Sequence, residues 1–138
     1  KAKNRIIKYV PHGLNPDLMS PITPESQKGE ELKQFKQNLF GGKEYDFVLF
    51  FNSRNIRRKQ IPDTMLAYKY FIDQLPVEKA KKCAFVLHTE LVSDHGTDLQ
   101  AVANYIFGEN SDKIKFSTQK LSTDHLNYLY NYHNINVW

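Results

Sequence analysis

The chain has 138 residues, 41% of them hydrophobic and 13% aromatic, which is enough to bury one core and fold as one unit. With 19 basic and 15 acidic side chains the net charge is +4, well short of the basic excess of a dedicated nucleic-acid binder. A single cysteine, Cys83, excludes an internal disulfide and a thiolate metal cluster and points to a reducing compartment, the cytoplasm. No stretch approaches the roughly 18 apolar residues of a membrane span and the amino end lacks a secretory signal, so any membrane contact is expected to be peripheral.

Taken in order, Ile6-Ile7-Lys8-Tyr9-Val10 reads as a short strand running into a turn at Pro11-His12-Gly13-Leu14-Asn15-Pro16. Pro11, Pro16, Pro21 and Pro24 then exclude regular structure, so this stretch is a linker or wrapping loop. From about Glu25 to Leu39 a stripe of Leu32, Phe35 and Leu39 predicts a surface helix closed by Gly41-Gly42. Phe47 to Phe51 is a buried strand, followed by a basic turn, Asn52 to Lys59, and a helix from about Asp63, its expected N-cap, to Leu75. The core face of that helix is Tyr68, Phe71, Ile72 and Leu75. Cys83 to His88 is a second inner strand. Thr97 or Asp98 caps a helix carrying Leu99, Val102, Ala103 and Ile106 and ending at Gly108. Lys113 to Phe116 is a third strand, Ser122-Thr123-Asp124 starts a helix with Leu126, Leu129, Tyr130 and His133, and Ile135 to Trp138 opens a fourth strand. Strict alternation with helical crossovers implies an α/β fold, a Rossmann-like parallel sheet with flanking helices. The first residue is Lys1 and the last stands inside a strand, so the chain is expected to be a piece of a larger protein.

The basic turn puts four cations, Arg54, Arg57, Arg58 and Lys59, into six residues beyond the carboxyl end of a strand, where such sheets place phosphorylated ligands. The plainer readings are a solvated turn or a contact to a nucleic-acid backbone. Arg57 and Arg58 either steer an anion or face water. His88 ends the second strand on the same edge and serves a ligand or bonds a neighbouring backbone group. Asp94, His95 and Asp98 have ligand types for a divalent ion, although a loop with a helix cap is the favoured reading. Tyr128, Tyr130 and Tyr132 fall on different helical faces, which argues for packing over a stacking platform.

From Tyr9-Val10-Pro11-His12-Gly13-Leu14-Asn15 to Trp138 the chain resembles the first half of the carboxyl-terminal, donor-binding domain of group 1 retaining glycosyltransferases, whose GT-B fold has two facing Rossmann-like domains. In that family a Gly-Arg pair follows the first strand and a Lys follows about five residues later; here Ser53-Arg54 and Lys59 hold those places. Ser53 replaces the Gly, Gln60 stands where a Gly often follows the Lys, and the family's acidic motif would lie beyond the fourth strand. The resemblance implies residues 1–44 as interdomain connection and surface helix and 45–138 as a partial nucleotide-sugar-binding domain. It further implies an enzyme as the parent protein, with this piece alone inactive, and a metal-independent, retaining transfer without cofactor. The donor would be a nucleotide-diphosphate sugar, the acceptor is open, and no nucleic acid is involved. Arg54 and Lys59 would stabilise the departing diphosphate, with Ser53, His88, Thr118, Gln119 and Lys120 around the nucleotide and His12-Gly13 at the cleft between domains. Two alternatives stay open: a non-catalytic nucleotide- or phosphate-binding module, and a nucleic-acid-binding domain built on the Arg54 to Lys59 cluster.

Overall fold

In the computed structural model, which describes residues 7–131 and the backbone of Ile135–Val137, the elements run α1 (Gln27–Phe40), β1 (Phe47–Asn52), a 3-10 turn (Arg57–Lys59), α2 (Ile61–Asp73), α3 (Val77–Ala80), β2 (Cys83–His88), α4 (Leu99–Phe107), β3 (Ile114–Ser117), α5 (Thr123–Tyr130) and β4 (Ile135–Val137). The four strands form one sheet in the order β3-β2-β1-β4, and every pair is parallel. The expected α/β, Rossmann-like architecture is present.

Alternation along the strands explains the layers. Val48, Phe50, Ala84 and Val86 point to one face and meet Phe40 of α1 and Leu129 of α5. Phe51, Cys83, Phe85 and Leu87 point to the other and meet Ile61, Met65, Tyr68 and Ile72 of α2 and Leu99 and Ala103 of α4. A strand buried on both faces must be apolar at every position, and β2 is buried from Cys83 through Leu87. Two successive crossovers on one face and the third on the opposite face is what right-handed connections require when the chain reverses its travel across the sheet. That reversal falls between β1 and β4.

The helix ends follow local chemistry, with one exception. Ser26, Asp98 and Ser122 each accept a backbone N–H from the first turn of α1, α4 and α5, and Gly41 closes α1 at φ 60°. For α2 the expected cap at Asp63 is corrected: the cap position is three residues earlier, at Gln60 with φ 50°, the helix begins at Ile61, and Asp63 sits in its first turn. The pre-set φ of Pro62 already suits a first helical turn, whose N–H groups need no intrahelical partner. The carboxylate of Asp63 still favours the positive helix end.

The strand expected at residues 6–10 is also corrected. Among the described residues Ile7, Tyr9 and Val10 are 93%, 90% and 83% exposed and unassigned to any strand, because no neighbouring strand offers them a ladder. Ile6, Tyr132, His133 and Trp138 lie outside the described residues. The wrapping loop is held where its chain meets α5: Asn127 and Asn131 donate to the Ser20 carbonyl at 3.1 and 2.9 Å, and the Asn131 side chain accepts from Ile22 N at 2.8 Å. Among the described residues no helix is long and apolar enough to cross a membrane.

The surface helix α1 is tied to α5 through the Tyr128 hydroxyl, which donates to Glu31 at 2.5 Å. That bond, with burial second, raises the Tyr128 hydroxyl to about 12. A phenol donates only while protonated, so its contribution is complete below the ordinary value of 10 and is lost as pH rises toward 12. Tyr128→Phe should lower stability at neutral pH by about 0.5–1.5 kcal/mol, and denaturant titrations should show the wild type losing this margin between pH 10 and 12.

Candidate functional site at the carboxyl edge of the sheet

Because all strands run the same way, the segments that leave them gather at one edge. There the ends of β1, β2 and β3 enclose a groove of about 320 Å3 lined by Asn52, Ser53, Arg54, His88, Thr89, Glu90, Ser117, Thr118, Gln119 and Lys120. The register gives the lining an order. Asn52, His88 and Ser117 are the last ladder partners. One residue further stand three hydroxyls, Ser53, Thr89 and Thr118; two residues further stand a cation, a carboxylate and a carboxamide, Arg54, Glu90 and Gln119.

Each strand end is secured locally. Ser53 N donates to the His88 carbonyl at 3.3 Å, extending the β1–β2 ladder by one step. His88 Nδ1 lies 2.9 Å from the Ser117 carbonyl and 3.0 Å from its Oγ. A carbonyl only accepts, so Nδ1 carries the proton in this contact. Asn52 donates from Nδ2 to the Tyr130 hydroxyl at 3.1 Å, and the Tyr130 ring packs edge-on against Phe50. Tyr130 therefore supports the rim, while Tyr128 is buried on the other side of α5.

The basic turn is shaped by Asn55, which is only 2% exposed. Its Nδ2 donates to the carbonyls of Leu91 and Thr97 at 3.2 and 2.7 Å, and its Oδ1 accepts from Thr97 N at 3.1 Å. Arg57 N donates to the His95 carbonyl at 2.9 Å, so the loops after β1 and β2 form one body. At Gly96 an added Cβ would stand 2.2 Å from Asn55 Oδ1 and 2.4 Å from the Asn55 carbonyl, which leaves no room for any other residue. The segment Asp94 to Asp98 is accordingly a loop ending in the Asp98 cap of α4. Among the described residues no three His, Cys, Asp or Glu side chains are grouped so as to hold a metal ion.

The charge of the turn stands uncompensated. Six lysines elsewhere are paired with carboxylates: Lys28 with Asp124, Lys33 with Glu30, Lys43 with Asp112, Lys69 with Asp73, Lys81 with Glu78 and Lys82 with Asp46. Arg54, Arg57, Arg58, Lys59 and Lys120 form no ion pair within 4.0 Å among the described residues. A planar guanidinium without an ion pair is suited to two oxygens of one phosphate.

Of the residues singled out by sequence, Ser53, Arg54, His88, Thr118, Gln119 and Lys120 meet in the groove. Lys59 is half-buried in the 3-10 turn ahead of α2 and does not line it. His12 and Gly13 lie in the exposed amino-terminal segment, away from the groove. Asn52, Thr89, Glu90 and Ser117 were not anticipated; reading each strand three residues past its last apolar position would have found them. Comparison with known families, curated proteins and solved structures returns no match to this chain.

Removing the carboxamide leaves the Thr97 carbonyl and N–H without their partner, while the Leu91 carbonyl keeps its bond from Leu99 N at 2.9 Å. Asn55→Ala should cost about 2–4 kcal/mol of stability, and Gly96→Ala should also destabilise, read as lowered melting temperatures by calorimetry. An unchanged melting temperature in both would show that the two loops do not depend on this contact.

Proposed function

We propose that the groove binds the diphosphate of a nucleotide-sugar donor and that the chain is part of a retaining glycosyltransferase. The observation that carries the reading is the convergence of Arg54, Lys120, His88 and four hydroxyl side chains at the carboxyl ends of three parallel strands. In transfer from such a donor, negative charge gathers on the leaving diphosphate as the glycosidic bond breaks. A guanidinium aimed at those oxygens strengthens its hold as the charge grows, and one such stabiliser typically accounts for about 3 kcal/mol of the barrier. The sequence resemblance around Ser53-Arg54 and Lys59 supports sugar transfer in particular.

One observation favours a second reading, a nucleotide- or phosphate-binding module without catalysis. Lys59, the partner of Arg54 in the glycosyltransferase pattern, stands outside the groove. In the transfer reading Lys59 would turn inward when the diphosphate arrives. In the module reading it would remain a surface cation.

Calorimetric titration with uridine, guanosine and adenosine diphosphates tests both. At least one should bind, and Arg54→Ala should weaken it by roughly 10- to 100-fold, the equivalent of a lost charge-assisted pair. A comparable loss in Lys59→Ala would support the transfer reading, and indifference to Lys59→Ala would favour the module. Failure of all three nucleotides to bind the folded wild-type chain would overturn a nucleotide site here.

A further inference from the structure

A second concavity adjoins the groove on the α5 side. It is a furrow of about 680 Å3 between the wrapping loop, which brings Leu14, Met19 and Pro21, and one face of α5, which brings Thr123, Leu126 and Tyr130 at i, i+3 and i+7. The two concavities share a rim: Asn52 lines the groove, Tyr130 lines the furrow, and the bond from Asn52 Nδ2 to the Tyr130 hydroxyl at 3.1 Å stands between them. Lys120 of the groove is three residues from Thr123 of the furrow.

The furrow has little polarity left to offer. Asn127 donates to the Ser20 carbonyl and accepts from Asn131 at 2.9 Å, while Asn131 accepts from Ile22 N, so both carboxamides are spent within the wall that they line. The rest of the lining is mostly aliphatic or aromatic, and much of it is uncovered: Leu14 is 77% and Tyr130 39% exposed. A volume of this order suits a small molecule. A nucleotide-sugar donor accounts for the cations of the groove and leaves this apolar site without a role. Transfer needs a second substrate held beside the first. The acceptor's hydroxyl oxygen bonds the anomeric carbon as the bond from that carbon to the diphosphate breaks, and the nucleoside diphosphate leaves with the bonding pair and takes up the hydroxyl proton.

We propose that the furrow holds the apolar body of the acceptor, so that the sugar passes to a hydroxyl on an alkyl-bearing molecule and not to a free sugar. The assignment rests on the transfer reading of the groove. Continuity along the Asn52–Tyr130 rim puts the alkyl chain and the diphosphate on neighbouring sites that are filled together.

Calorimetric titration with octyl β-glucoside below its micelle concentration is the test, with methyl β-glucoside as the same head without the chain. The wild type should bind the octyl compound roughly tenfold or more tightly than the methyl one, since only the chain buries apolar surface. It should do so equally well with the groove filled by the best-binding nucleoside diphosphate. Leu14→Asp puts a charge against the furrow and should weaken the octyl compound by roughly tenfold or more, with nucleotide binding left as in the wild type. Leu14 is exposed, and an unchanged melting temperature would confirm that the variant folds. Failure of the octyl compound to bind the wild type, equal binding to Leu14→Asp, or its displacement by the nucleotide overturns the furrow as its site and leaves the groove reading intact. A wild-type dimer that Leu14→Asp converts to a monomer in gel filtration gives the furrow to a second copy and overturns the proposal as well. Binding that is sensitive to Leu14→Asp in a chain that takes no nucleotide overturns the acceptor role together with the transfer reading.

Discussion

Parallel strands cannot be joined by hairpins, and nearly everything else in this molecule follows from that. After each strand the chain must travel back across a face of the sheet, and a helix is the compact way to do so with its backbone groups satisfied. Both faces are thereby covered, which is why Val48 and Phe50 serve one core while Phe51 serves the other. All the segments leaving the strands are brought to one edge. The groove is a by-product of direction.

Within that edge the chain departs from a tight, glycine-built phosphate loop. The turn after β1 is kept in shape by a side chain, Asn55, reaching across to the loop after β2, and by Gly96, whose missing Cβ makes room for it. Rigidity is borrowed from a neighbour, and the loops after β1 and β2 act as one wall. The wall after β3 is joined through His88 and Ser117. A change of position in one strand end is therefore felt at the next.

Much of this could be seen in the residues. β2 occupies Cys83–His88 as expected because its apolar run is buried without interruption, and Asp98 and Ser122 are caps whose oxygen finds the N–H three residues on. These signals are local. The misreadings come from partners distant in the chain or from backbone states with no residue signature. Ile7 to Val10 have strand-forming side chains but no strand beside them. Gln60 adopts φ 50° without being a glycine, which hid the true start of α2. Asn55 was lost inside a run of arginines, and its partners lie 36 and 42 residues ahead. The groove was legible in part: Arg54, His88 and the segment after β3 were placed by strand order, whereas Glu90 emerged only once the strands were in register.

The arginines left without ion pairs among the described residues bear on how quickly a ligand arrives. Arg54, Arg57 and Arg58 project a positive field from one corner of a molecule in which six lysines elsewhere are paired with carboxylates. Such a field reaches about 10 Å at 0.1 M salt, further than any side chain, and acts on an anion before contact. Diffusional capture at the groove would then slow as ionic strength rises, while residence once bound, governed by short contacts, would change little. Arg57 and Arg58 need not touch a ligand to matter: their place in the molecule is to make encounters productive from a distance.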